Sequence, residues 1–224
     1  MNHDSRRALI GAGLAVAIGL PLIFYALGDV PRRNLLKEGL SLLTILSFVF
    51  LLGQMFLTRI NTPAVSAFKM PLVQRLHKAI GYGAMGVMLL HPVLVVLPRF
   101  FEGGVRPGAA FWTMVTNVSN LGIDLGLAAW AALLALGLVA WFRLRLMARL
   151  ANRYRGWRGI HGAMAMVFVA LATGHAILLG RHSEPAMVAL YLALAVTGPY
   201  LVARLYLAPT TARANPTAAK PAHS

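Results

Sequence analysis

Six apolar runs of roughly 20 residues, set apart by short polar breaks, constrain this chain more than any other feature, because ~20 apolar residues of helix cross a ~30 Å hydrocarbon core. They read as Ala8–Leu27, Leu35–Leu57, His77–Leu97, Val118–Phe142, Ile160–Leu179 and Ala186–Leu207. In lipid every backbone N–H and C=O needs an internal partner, so runs of this length fold as helices. With 58 % hydrophobic and 12 % charged residues, the 224-residue chain has too little polar surface for a soluble domain of its size. The expected fold class is all-α, a six-helix transmembrane bundle over residues 1–207. From 208 to 224 Thr, Ala, Pro and Lys have nothing to bury, so a disordered cytoplasmic tail is expected there.

The breaks carry turn chemistry: Gly28-Asp29-Val30-Pro31, Thr62-Pro63, Glu102-Gly103-Gly104 and Ser183-Glu184-Pro185. Arg6 and Arg7 before the first run, with Ala26-Leu27-Gly28 after it, imitate a signal peptide. The run is longer than the usual signal core and holds Pro21, so an uncleaved first helix is expected. Of the 21 Lys and Arg, 15 fall on the side of the N-terminus and 6 on the other. That asymmetry predicts both termini in the cytoplasm of a multi-pass protein of the bacterial inner, or plasma, membrane. The net charge of +15 thus reflects orientation and attraction to membrane lipid, not nucleic acid. Without cysteine there can be no disulfide, thiolate metal site, iron–sulfur cluster or covalently attached heme.

Four of the seven histidines form a pattern. His77 and His91 stand 14 apart in the third run, and His161 and His175 stand 14 apart in the fifth. Fourteen helical residues rise ~21 Å and complete nearly four turns, so each pair lies on one helix face. Both helices run from inside to outside, which sets His77 level with His161 and His91 level with His175. Two facing imidazoles at each of two depths is what a pair of bis-histidine hemes requires. Gly81, Gly83, Ala84 and Gly86 lie between the histidines of the third run, and Gly162, Ala163, Gly174 and Ala176 flank those of the fifth. Small residues of this kind leave room for a flat porphyrin. Phe168, seven residues from each histidine of the fifth run, is placed to stand between the two levels. Arg75, Lys78 and Arg158 at the inner level, and Arg99, Arg106 and Arg32 at the outer, are candidates to meet propionates. His3, His182 and His223 fall in tails or a short outer loop. No catalytic residue stands out.

Segments His77-Lys78-Ala79-Ile80-Gly81 through Leu90-His91-Pro92, and Trp157-Arg158-Gly159-Ile160-His161 through Gly174-His175, resemble the ferric reductase-like transmembrane domain superfamily. That superfamily includes the NADPH oxidases, eukaryotic ferric reductases, STEAP metalloreductases and the heme subunit of the bacterial methionine sulfoxide reductase system. The resemblance covers the six-helix core. It implies an inner heme b on His77 and His161, an outer one on His91 and His175, and Phe168 as the aromatic between them. Many relatives continue into a flavin and nicotinamide domain, for which residues after Leu207 leave no room. Electrons are therefore expected from a separate flavoprotein or a quinol. Single-heme relatives hold a flavin in the inner place, so one heme with a flavin at the inner face is the alternative loading.

The function expected is electron transfer across the bilayer by a b-type cytochrome, from an inner donor to an outer acceptor. The acceptor would be ferric iron, oxygen or a periplasmic redox partner. A heme-binding subunit of a periplasmic methionine sulfoxide reductase-type repair system is one alternative. A non-redox transport or assembly protein with structural histidines is the other.

Overall fold

The computed structural model describes residues 3–104, 106–116, 120–150 and 153–207. The expected tail, 208–224, lies outside the described residues, as does Val118, the expected start of the fourth run. Every regular element among the described residues is helical. Six of these stretches are long and apolar enough to cross a membrane: His3–Leu27, Leu35–Phe56, Thr62–Phe100, Leu121–Trp141, Arg153–Leu179 and Pro185–Arg204.

The first span is not one uniform helix. α1 (His3–Leu14) passes through a π turn (Ala15–Gly19) into α2 (Leu20–Leu27). Pro21 accounts for this, since its ring has no N–H and crowds the carbonyl four residues back, that of Ala17. α3 (Leu35–Gly53) starts where the Asn34 side chain accepts the Lys37 N–H at 2.9 Å. α4 (Thr62–Val96) starts on Asn61, which caps Ala64 N at 3.1 Å. Lys69, at φ 61° and ψ 150°, breaks α4 two residues before Pro71. Short α5 (Pro107–Thr116) leads to α6 (Leu121–Trp141), capped by Asn120. α7 (Arg143–Arg149), α8 (Arg153–Leu179) and α9 (Pro185–Leu207) complete the chain.

Three helices begin five or more residues before their apolar runs: α1 at His3 where the run starts at Ala8, α4 at Thr62 where it starts at His77, and α8 at Arg153 where it starts at Ile160. Hydropathy marks what the bilayer must hold, whereas a helix continues through Gln74, Arg75 or Arg155 for as long as its backbone bonds can form. α5 and α7 lie in stretches that read as loops for the same reason.

Five helices close a ring: α3 packs on α4, α4 on α6, α6 on α8, α8 on α9, and α9 on α3. α1 and α2 lie outside it, against α3 and its neighbours. α4 and α8, which carry the four histidines, thus face each other across the ring. Small residues bring the walls close. A Cβ on Gly137 would stand 2.9 Å from Met85 Sδ, and one on Gly198 3.0 Å from Met55 Cβ. Phe48, Val49, Leu52, Leu133, Met187 and Tyr191 form the buried core. Phe100, Phe101, Trp112 and Trp141 stay exposed near helix ends, where aromatic rings suit a membrane interface.

Candidate functional site

The four intramembrane histidines meet in two pairs across the ring. His77 and His161 place their ring centroids 6.5 Å apart at an interplanar angle of 61°. His91 and His175 do so at 6.3 Å and 78°. Metal–imidazole bonds of ~2 Å put the centroids of two opposed axial ligands ~6 Å apart. Both pairs have the separation that a shared iron would need, with one His of α4 facing one of α8 in each pair. Among the described residues no group of three or more His, Cys, Asp or Glu could hold a bare metal ion. Two ligands per level suit an iron whose other four positions come from a macrocycle.

The ring nitrogens bear on the same point. Nδ1 of His77, His91 and His161 is buried with no hydrogen-bond partner among the described residues. A buried polar atom left unpaired costs ~1–3 kcal/mol whether or not the opposite ring nitrogen binds a metal. His175 Nδ1 lies 2.7 Å from the Gly122 carbonyl. Donating there fixes the tautomer and leaves the Nε2 lone pair for a metal. Gly126 on α6 completes this seat, because a Cβ there would lie 2.5 Å from His175 Nδ1 and 2.7 Å from Cε1. Sequence reasoning passed over both glycines. The spacing Gly122-Ile-Asp-Leu-Gly126, two small residues one turn apart on one helix face, was the available signal.

Phe168 is buried on α8, seven residues from each histidine of that helix. It lines a cavity of about 690 Å³ together with His91, His175, Met88, Ala129, Trp130 and Ala172. That volume falls within the range of cofactor pockets, ~300–1,000 Å³. On α4, a Cβ at Gly83 or Gly86 would meet open space. Pro92, next to His91, leaves the Met88 carbonyl without its helical donor, and one residue on the Trp130 indole N–H donates to Leu89 O at 2.9 Å.

At the level of His77 and His161 the helix α8 presents a stack that sequence reasoning also missed. The Trp157 indole lies on the His161 ring (5.2 Å, 24°), and Tyr154 on Trp157 (5.9 Å, 28°). Spacings of three and four residues put all three on one helix face. Trp157 donates to Val139 O at 3.0 Å, which fixes the indole and through it the His161 ring. Arg143 stands 5.9 Å from the Trp157 ring and half-buried Arg158 5.5 Å from that of Tyr154. Arg75 is exposed, and its position two residues before His77 turns it ~200° around α4.

At the level of His91 and His175 the cavity opens among Arg33, Lys37, Arg99, Glu102, Arg181 and His182. Beside it, buried Glu38 accepts from the Tyr25 hydroxyl and from Arg33 N and Nε, both at 3.0 Å. Lys37 Nζ pairs with Glu102 at 2.6 Å and holds that carboxyl below its usual range. Arg99 lines this opening. Arg32 instead stacks on the Tyr25 ring at 4.3 Å, and Arg106 is exposed. His182, read from the sequence as a loop residue, is buried at 7 % exposure beside Tyr25. Burial pushes its imidazole below the usual value, against the pull of Glu38.

Residues 40–172 match the protein family described as "Ferric reductase like transmembrane component", a span that contains His77, His91, His161 and Phe168 and ends three residues before His175. An uncharacterized protein of Archaeoglobus fulgidus is 38 % identical over 165 residues, covering 74 % of this chain and 87 % of its own length. No solved structure matches the chain.

Proposed function

The chain belongs to the ferric reductase-like transmembrane component family, and from that premise we propose that it is a b-type cytochrome carrying electrons across a bacterial inner membrane. The observation that carries this reading is the two imidazole pairs, at 6.5 and 6.3 Å, stacked at two depths of one helix ring. Heme bound at each level supplies a one-electron iron couple, which the side chains alone do not have. His77 and His161 ligate at the first level, His91 and His175 at the second. The Gly122 carbonyl holds His175 in its ligating tautomer with Gly126 packed against the ring, and Trp157 stacks on the His161 ring and sets its orientation. Phe168 fills the space between levels and keeps water from it. Arg158, with Arg75 at greater reach, offers positive charge to the first-level propionates.

Electrons enter at the end bearing α7, from a separate flavoprotein or a quinol, and leave at the end bearing Glu38. The excess of Lys and Arg around α7 favours placing that end, with both termini, in the cytoplasm. Reporters fused at Arg149 and after Leu207 should therefore read cytoplasmic, and one at Gly103 external. The opposite pattern reverses the direction of transfer.

Heme stoichiometry tests the reading directly. The purified chain should be red and give two hemes per chain in a pyridine hemochrome assay, both released by acid extraction, since no cysteine can bind them covalently. One heme with one flavin would move the first level to the alternative loading. A colourless protein would leave the histidines structural.

A further inference from the structure

The first level holds a buried acceptor that the histidine pairs alone do not explain. Gln54 opens the tight helical turn Gln54–Phe56 that follows α3. Its Nε2 donates to Phe50 O at 3.2 Å, while its Oε1 is buried with no hydrogen-bond partner among the described residues. An amide oxygen shut away from water in this state is costly, so a reason for its placement is to be sought nearby.

Two observations put this amide against His77. A Cβ on Gly81 would stand 3.2 Å from Gln54 Oε1 and 3.6 Å from Gln54 Cδ. Gly81 follows His77 by four residues, one turn of α4, so the two positions share a face. Independently, the backbone carbonyls of Gln54 and Leu57 come up to the His77 ring. None of these oxygens holds His77 Nδ1, which is buried without a partner. That nitrogen carries a proton whenever Nε2 is the ligating atom. A donor without an acceptor and an acceptor without a donor thus lie on one face of α4, about one helical turn apart. Rotation about the side-chain bonds of Gln54 brings them together. Any side chain at position 81 would press on the amide, and glycine leaves it that freedom. The second level has the same arrangement already closed, with the Gly122 carbonyl 2.7 Å from His175 Nδ1 and Gly126 giving the ring its room.

We propose that Gln54 is a positioning residue of the first level, whose Oε1 accepts the Nδ1–H of His77. The bond fixes the tautomer in which Nε2 ligates and makes that nitrogen a stronger electron donor. The inference rests on the function proposed above.

Potentiometric titration of the heme-loaded full chain reads the effect, the first-level step being the one that is absent in His161→Ala. Gln54→Met keeps the length of the side chain and deletes the acceptor. A less electron-rich His77 favours ferric iron less, so the first-level midpoint should rise. The expected change is about tenfold in the reduction equilibrium, 59 mV for one electron, with the second-level midpoint in place. Gln54→Glu, whose carboxylate accepts more strongly, should lower the first-level midpoint. A midpoint unmoved in both variants overturns the proposal and passes the role to the backbone carbonyls of Gln54 and Leu57. Equal movement of both midpoints overturns it too, since that reports a change in the whole ring. Should Gln54→Met fail to accumulate, Gln54→Glu decides alone, and anything but a fall overturns the proposal. Should the first level bind no heme, the function proposed above fails there, and the tautomer of His77 in the empty chain decides the role of Gln54 by itself. Nitrogen-15 NMR, with the His77 signal assigned by its loss in His77→Leu, should find the proton on Nδ1 in wild type and not in Gln54→Met. The same tautomer in both overturns the proposal.

Discussion

His91→Ala and His175→Ala should each leave the chain with about half its heme and abolish the same one of two redox steps, while His77→Ala and His161→Ala abolish the other. The reason is geometric. Each level owns two imidazoles from opposite walls of the ring, at 6.5 Å for one pair and 6.3 Å for the other. Losing either member leaves an iron with one protein ligand, while the other level, a vertical ~21 Å along the helices, keeps both of its own. Residual spectra of the two variants of one level should superimpose. Hemochrome content and potentiometric titration read the outcome together. Should His77 and His91 variants behave alike and differ from those of His161 and His175, pairing follows the helix and not the depth, and the bis-histidine assignment is wrong.

Gly126→Val should mimic His175→Ala although it touches no ligating atom. The backbone of α6 approaches the His175 ring so closely that the first side-chain carbon would lie 2.5 Å from Nδ1. Either the imidazole swings away from His91 and from the Gly122 carbonyl, or α6 and α8 part along their length. Overpacking of this kind costs ~1–3 kcal/mol even where the surroundings yield. The second redox step should disappear and the first should remain. Gly39→Ala on α3, where a Cβ meets open space, should leave both steps in place. An intact second step in Gly126→Val would mean that His175 is not held where the structure puts it.

The spans and the paired histidines were legible because both follow from local periodicity. Hydropathy over about 20 residues reports the bilayer thickness, and a 14-residue spacing reports a helix face whatever the tertiary structure. The same arithmetic put Phe168 on the histidine face of α8, where it is buried and lines the cavity. What escaped depends on which element lies opposite. Nothing about His182 in Gly180-Arg181-His182-Ser183 says that the loop folds inward onto Tyr25 and Glu38. Arg33 reaches the cavity rim and Arg32 the Tyr25 ring, a division between adjacent arginines that only the turn before α3 decides. Trp157 was quoted as part of a motif, yet its stacking on His161 needed the α8 start that hydropathy could not place. Gly126 is one of several glycines in apolar runs, singled out only by the ring packed against it.

The helix ring also has a consequence for biosynthesis. Of the described spans α9 leaves the ribosome after the other five, and it is the piece that joins α8 back to α3, with Gly198 seated against Met55. Until it arrives, the two histidine-bearing walls stand in an arc open on one side to lipid. A bulky planar molecule can slide in through that gap without parting any finished helix pair, and once α9 docks the gap is sealed. If the chain holds heme as proposed, capture would fall in the interval between completion of α8 and docking of α9. Slow translation of the residues after Leu179 would lengthen that interval, and a chain closed while empty would have to be prised apart before it could be filled.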